Sequence, residues 1–162
     1  MTIARQATYT SRLSVVRTYS GEGIGADNTV TVDGLGTQTT LNGSSTPPVS
    51  VDACLTLPLV AGAATLDLTA IPDPTLGTVN ANGLTPYMLK LQNPDTNANP
   101  ITIKEGAANG YVGFGVNFLI TLAPGEEIAI LKKAASAVGG ASKTLDLTGT
   151  GVQALNIQIA AG

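Results

Sequence analysis

Gly110, Gly113 and Gly115, in the stretch GYVGFGVNFLITLAPGEEIAIL, have the spacing of a loop that could wrap a phosphate. Such a loop needs a strand before its glycines and a helix after them, because the phosphate sits on the helix N-terminus. Here Gly115 leads into VNFLITL, with Val116, Phe118, Ile120 and Leu122 on one face, and then into APGEE. That is a strand entering a turn, so the phosphate reading fails for want of its helix. Pro124 and Gly125 suit the two central positions of a type II turn, Pro fixing φ and Gly supplying φ > 0. The expected element is a hairpin, with EIAIL returning as the partner strand.

Asn93, Asp95 and Asn97 stand at i, i+2 and i+4, as at the start of a calcium loop, but the sixth position is Ala98 and the twelfth Lys104. Calcium needs Gly and Glu there, and one carboxylate holds it weakly. The stretch from Asn93 to Pro100 therefore reads as a turn, and no metal is expected. Glu126 and Glu127 are strand neighbours and point to opposite faces, which denies them a shared acid–base role. Asp67 and Asp146 fall on the polar faces of their strands and are expected in water. There is no His, and the single cysteine is Cys54. No Ser-His-Asp or Cys-His pair can form. Cys54 lies in an alternating apolar run and is expected to be a buried structural thiol. Neither catalysis nor a cofactor is expected.

The elements that would position these residues are short and β-branched. From Ala7 to Tyr19 the chain alternates with period two. The stretch NTVTVDGLGTQTTLNG reads as a short hairpin, Thr29–Asp33 and Thr37–Leu41, turning at Gly34–Gly36. Asn42–Pro48 reads as a linker. Eight candidate strands follow: Val51–Leu59, Ala64–Ile71, Pro86–Gln92, Ile101–Glu105, Val116–Leu122, Glu126–Lys132, Lys143–Thr148 and Val152–Ile159. The word TLDLT occurs twice, as two strands obeying one pattern. Lys132–Ala137 allows at most a turn of helix. The fold class is thus all-β: a β-sandwich, read as an eight-stranded jelly roll (residues 49–162), preceded by a strand-like N-terminal arm with its short hairpin (residues 1–48).

Charged residues make up only 12% of the chain, about half the usual share. So bare a surface suggests that partners or copies of the chain cover part of it. Residues 1–20 hold all three arginines and no acid, whereas residues 21–89 hold six acids and no base. A basic arm of this kind suits an acidic protein surface or a neighbouring copy. The candidate contacts are Arg5, Arg12 and Arg17, with Tyr9, Leu13 and Val15 on the apolar side. Nucleic acid is not expected as a partner, because three arginines and dispersed aromatics make neither a basic face nor a stacking platform. A membrane is not expected either: the longest uncharged stretch, residues 106–125, carries five Gly and a Pro. The first residues lack the apolar core of a signal peptide, so synthesis in the cytosol is expected.

The body resembles the small jelly-roll virion proteins of tailed bacteriophages, the head decoration (cement) proteins and related capsid-surface domains. The resemblance rests on NPITIKEG, on LAPGEE, and on a final strand pair ending at the C-terminus, and it covers about Val51 to Gly162. It implies a non-catalytic protein of the virion that binds the major capsid protein. Such proteins brace the lattice, often as dimers or trimers. Two other readings stand beside it. One is a phage fibre, tail or carbohydrate-binding β-sandwich module, which needs an exposed aromatic or carboxamide-rich site. The other is a jelly-roll hydrolase, which needs two convergent carboxylates.

Overall fold

The computed structural model describes residues 5–19 and 28–162, with side chains described at 5–11 and 36–162. The chain divides into two compact units, Thr8–Thr40 and a larger one made of Met1–Ala7 with Leu41–Gly162. The smaller unit is a two-stranded sheet of β1 (Gln6–Tyr19) and β2 (Asn28–Asn42), 14 and 15 residues long. Its strands run antiparallel: Thr8 meets Thr40 and Gln38 reaches Thr10, one number rising as the other falls. The short hairpin expected at Gly34–Gly36 is not there. β2 passes straight through both glycines, because pairing with a β1 of nearly the same length outweighs the weak turn preference of isolated glycines. The expected boundary at Asn42–Pro48 lies just beyond the division at Thr40, and the residues up to Ala7 group with the body.

The body is a β-sandwich of two four-stranded antiparallel sheets. Its strands are β3 (Val51–Leu59), β4 (Ala63–Asp67), β7 (Pro86–Gln92), β8 (Ile101–Glu105), β9 (Leu119–Leu122), β10 (Glu127–Leu131), β11 (Thr144–Thr148) and β12 (Gln153–Ala161). Between β4 and β7 the chain makes a small hairpin of β5 (Ile71–Asp73) and β6 (Gly77–Val79), which splits the strand expected over Ala64–Ile71. One sheet has the order β10-β7-β12-β3 and the other β4-β11-β8-β9. The pairings nest: β3 with β12, β4 with β11, β7 with β10, and β8 with β9. This is one long antiparallel ribbon doubled on itself and wrapped, so that β12 also joins β7 and β11 joins β8.

Alternation decides which side chains are inside. Leu55, Leu89, Leu91, Leu155 and Ile157 from the first sheet meet Leu66, Ile101, Ile103, Leu145 and Leu147 from the second in one core. Tyr111, fully buried, closes that core from the β8–β9 loop and donates its hydroxyl to Ser136 O at 2.6 Å. Of the glycines that resembled a phosphate loop, Gly113 serves this packing. A Cβ on Gly113 would lie 2.0 Å from the Tyr111 hydroxyl, so only glycine lets the loop fold back over the ring. Phe114 then packs edge-on to Tyr111 with ring centres 5.1 Å apart. No helix occurs among the described residues.

The turn at Pro124–Gly125 forms as its residues dictate. Glu126 N donates to Ala123 O at 3.0 Å, and Gly125 has φ of +83°. The expected hairpin does not follow from it. β9 pairs with β8 in one sheet and β10 with β7 in the other, so the turn carries the chain across the sandwich. A tight turn is satisfied whether the next strand pairs with the last or passes to the facing sheet. Gly125→Val places a β-branched residue at positive φ, with its Cβ 3.3 Å from Asp95 Oδ1. The expected cost is about 1–3 kcal/mol, read as a lower thermal midpoint; a midpoint equal to wild type would contradict the turn assignment.

Candidate functional site

The sequence pointed to the arm, and the structure places its residues unevenly. Arg5 lies in the larger unit, with its Nε 2.8 Å from Asp52 Oδ1 on β3. The contact is an ion pair rather than an aligned hydrogen bond, and it commits this guanidinium within the chain. Tyr9 sits half-buried on β1 between exposed Thr8 and Thr10. Arg12, Leu13, Val15 and Arg17 belong to β1 by backbone, and their side chains lie outside the described residues. β1 and β2 each have one strand neighbour among the described residues, so each presents an edge of backbone donors and acceptors.

The loop Asn93–Pro100 spends its polar groups internally. Asn93 is fully buried; its Nδ2 donates to Leu122 O at 2.8 Å and to Asn99 O at 3.2 Å. Asn97 Nδ2 donates to Asn93 Oδ1 at 2.6 Å and to Ala154 O at 2.7 Å. Gln153, also buried, accepts from Thr150 N at 2.6 Å and donates to Asn99 O. The carboxamides spaced like calcium ligands, Asn93 and Asn97, are thus tied to backbone of two other segments, at Leu122 and Ala154, and of the three residues so spaced Asp95 alone is exposed.

The carboxylates are dispersed and mostly engaged. Asp67 and Asp146, expected in water, both have partners. Asp67 pairs with Lys143 Nζ at 2.8 Å, and Asp146 accepts from Thr65 Oγ1 and Ala107 N, each at 2.8 Å. Glu127 pairs with Lys90 at 2.8 Å, whereas Glu126 accepts from Ala123 N at 2.8 Å inside the turn. Asp73 caps the β5–β6 turn through Thr75 N and Leu76 N, and its second oxygen accepts from Cys54 N at 2.9 Å. It thereby docks the small hairpin on the outer edge of β3. Among the described residues no three His, Cys, Asp or Glu side chains gather as a metal site would require.

These contacts set an acid response. Backbone donors, Cys54 N first and then Leu76 N, hold the Asp73 carboxyl below its ordinary 3.8 against the push of burial. At Asp67, burial pushes upward, but the Lys143 and Thr69 donors outweigh it and the carboxyl again ends below 3.8. Depressed carboxyls contribute stability that is present above the unfolded-state value and lost as pH falls through the folded one. The thermal midpoint is therefore expected to hold near neutrality and to decline below about pH 4. Asp73→Ala should lower the neutral midpoint and flatten part of that decline; parallel pH curves for the two proteins would contradict the assignment.

Cys54 is exposed, not buried. It alternates with Asp52 and Thr56 on the outer face of β3, while Ala53 and Leu55 face the core. Two polar rows cross that outer face. Thr56, Asn156, Gln92 and Glu127 are successive partners across four strands, and so are Cys54, Gln158 and Lys90 across three. Thr56 Oγ1 donates to Asn156 Oδ1 at 2.8 Å, and Asn156 Nδ2 donates to Gln92 Oε1 at 3.1 Å. With Pro74 of the β5–β6 turn as a wall, Cys54, Thr56, Lys90, Gln92, Asn156 and Gln158 of these rows line a groove of about 400 Å³. One row further along the strands, Met88 and Ala160 are buried, so the open part of the face stops there on β7 and β12. Only the alternation around Cys54 signalled this surface in the sequence, because the register that brings Gln92, Asn156 and Gln158 together is not local.

Among known proteins, no family model, no curated protein and no solved structure matches the chain.

Proposed function

We propose that the chain is a non-catalytic structural protein of a tailed-bacteriophage virion, a head decoration (cement) protein. In this reading it binds the major capsid protein on the capsid surface and braces the lattice, with copies associating as dimers or trimers. The division into a cross-tied sandwich and a separate two-stranded ribbon carries this reading. In the sandwich, buried carboxamides and paired carboxylates brace loops. The ribbon is different in kind. A two-stranded sheet is marginal in water by itself, and strands of about 45 Å at 3.4 Å per residue gain most by lying on a partner. Its backbone edges can extend a partner's sheet, and its arginines can meet acid on the lattice.

The nested strand order supports a jelly roll as the finer description of the body, since that fold is a doubled ribbon wrapped into two sheets. Exposed valines, Val116 at 76% and Val152 at 100%, give apolar surface for contact between copies. Labelling the exposed thiol of Cys54, the sole cysteine, with a gold-bearing maleimide and imaging the labelled protein on purified particles tests the reading. Gold at regular lattice positions is the expected result. Gold confined to the tail, or absent from particles, would overturn the head assignment.

A further inference from the structure

We propose that the groove on the outer face of β3, β12 and β7 is a binding site for a neutral saccharide. This proposal is independent of the attachment role of the ribbon. The groove volume suits one or two sugar rings, near the lower end for small-molecule sites. The uncharged polar part of its lining is amide and hydroxyl: Thr56, Gln92, Asn156 and Gln158. Carboxamides offer a donor and an acceptor side by side, the pairing that adjacent sugar hydroxyls require. The two rows already align them. Thr56 and Gln92 hold Asn156 from both sides, which fixes its orientation before any ligand arrives. Gln92 Nε2 and Gln158 Oε1 have no hydrogen-bond partner among the described residues, so a donor and an acceptor remain for the ligand.

The charge of the site argues for a neutral ligand. Lys90, the one cation lining the groove, is paired with Glu127 at 2.8 Å, so no net positive field faces an anion. The apolar edges of a sugar ring have Pro74, the Cys54 sulfur and the Lys90 stem to lie against. No aromatic side chain lines the groove, so affinity is expected to be weak and to rest on hydrogen bonds. Strand spacing of about 4.8 Å also sets neighbouring carboxamides roughly one sugar ring apart.

The full chain, labelled with nitrogen-15, is titrated separately with maltose, cellobiose, lactose and chitobiose, and its side-chain amide resonances are followed. At least one disaccharide is expected to shift the Gln92, Asn156 and Gln158 amides together and to slow the reaction of Cys54 with a thiol reagent. Gln158 is exposed and makes only a 3.7 Å contact to Cys54 Sγ, so Gln158→Ala should fold normally. It should weaken binding about tenfold, the effect of losing one or two good hydrogen bonds. Shifts elsewhere, unchanged binding by Gln158→Ala, or no response to all four sugars would overturn the proposal. So would a preference for sulfated oligosaccharides over these neutral ones.

Discussion

Asn93→Leu is expected to destabilise the body by about 3–5 kcal/mol. Leucine matches asparagine closely in size, so packing is nearly conserved and the loss is polar. Leu122 O and Asn99 O lose their donor, and Asn97 Nδ2 loses one of its two acceptors. Leu122 ends β9 and Asn97 is bonded to Ala154 near the start of β12, so the break reaches both sheets. At about 2–4 °C per kcal/mol for a chain of this size, the thermal midpoint should fall by roughly 10 °C. Asp95→Asn is the control: its side chain is exposed, and its midpoint should stay within about a degree of wild type, as for a surface change. If the two variants melted alike, the loop would be held by something other than its carboxamides.

Asn93 shows where sequence reading stops. Its spacing from Asp95 and Asn97 was visible, and the missing Gly and Glu argued against calcium chemistry. What the three residues do instead depends on Leu122, Asn99 and Ala154, and contacts across the fold leave no mark in local spacing. The strands were more accessible, because alternation is local. Val51–Leu59, Pro86–Gln92 and Ile101–Glu105 stand where period two placed them. Their distribution between two sheets was not accessible. Pro124–Gly125 makes its type II turn in either topology, so nothing in LAPGEE distinguishes a hairpin from a crossover. Gly34 and Gly36 misled in the opposite way: they are turn residues by preference, yet β2 runs through them because β1 offers a partner along its length.

Cys54 carries a sharper lesson. The same alternation that located β3 also put Cys54 on the side of Asp52 and Thr56, away from Ala53 and Leu55. The general tendency of cysteine toward burial outweighed that pattern in the sequence reading, and the pattern was right. The arm is a mixed case. Its strand character was legible over Ala7–Tyr19, whereas the commitment of Arg5 to Asp52 depends on how the chain returns at β3. That pair is exposed enough to contribute little, about 0.2–1 kcal/mol. The proposed attachment therefore assigns the hold to the ribbon as a whole rather than to this charge.

The ribbon can be removed cleanly. Thr8 and Thr40 face each other, with side-chain oxygens 3.3 Å apart, so Ala7 and Leu41 lie close enough for a two-residue Asn-Gly turn to join them. The most direct measurement is co-sedimentation with purified phage particles, comparing full-length protein with a version whose Thr8–Thr40 segment is replaced by Asn-Gly. The shortened protein should keep the thermal midpoint of the body, whose core residues all lie beyond Leu41. It should lose particle binding at low and high salt alike. Arg12→Ala with Arg17→Ala in the full chain should weaken binding only modestly, and mainly at low salt, as expected for exposed charges. Full-length protein that pellets with particles while the shortened, folded body stays in the supernatant is the result the account predicts. A shortened body that pellets as well as the full chain, or a full chain that binds no particle, would contradict it.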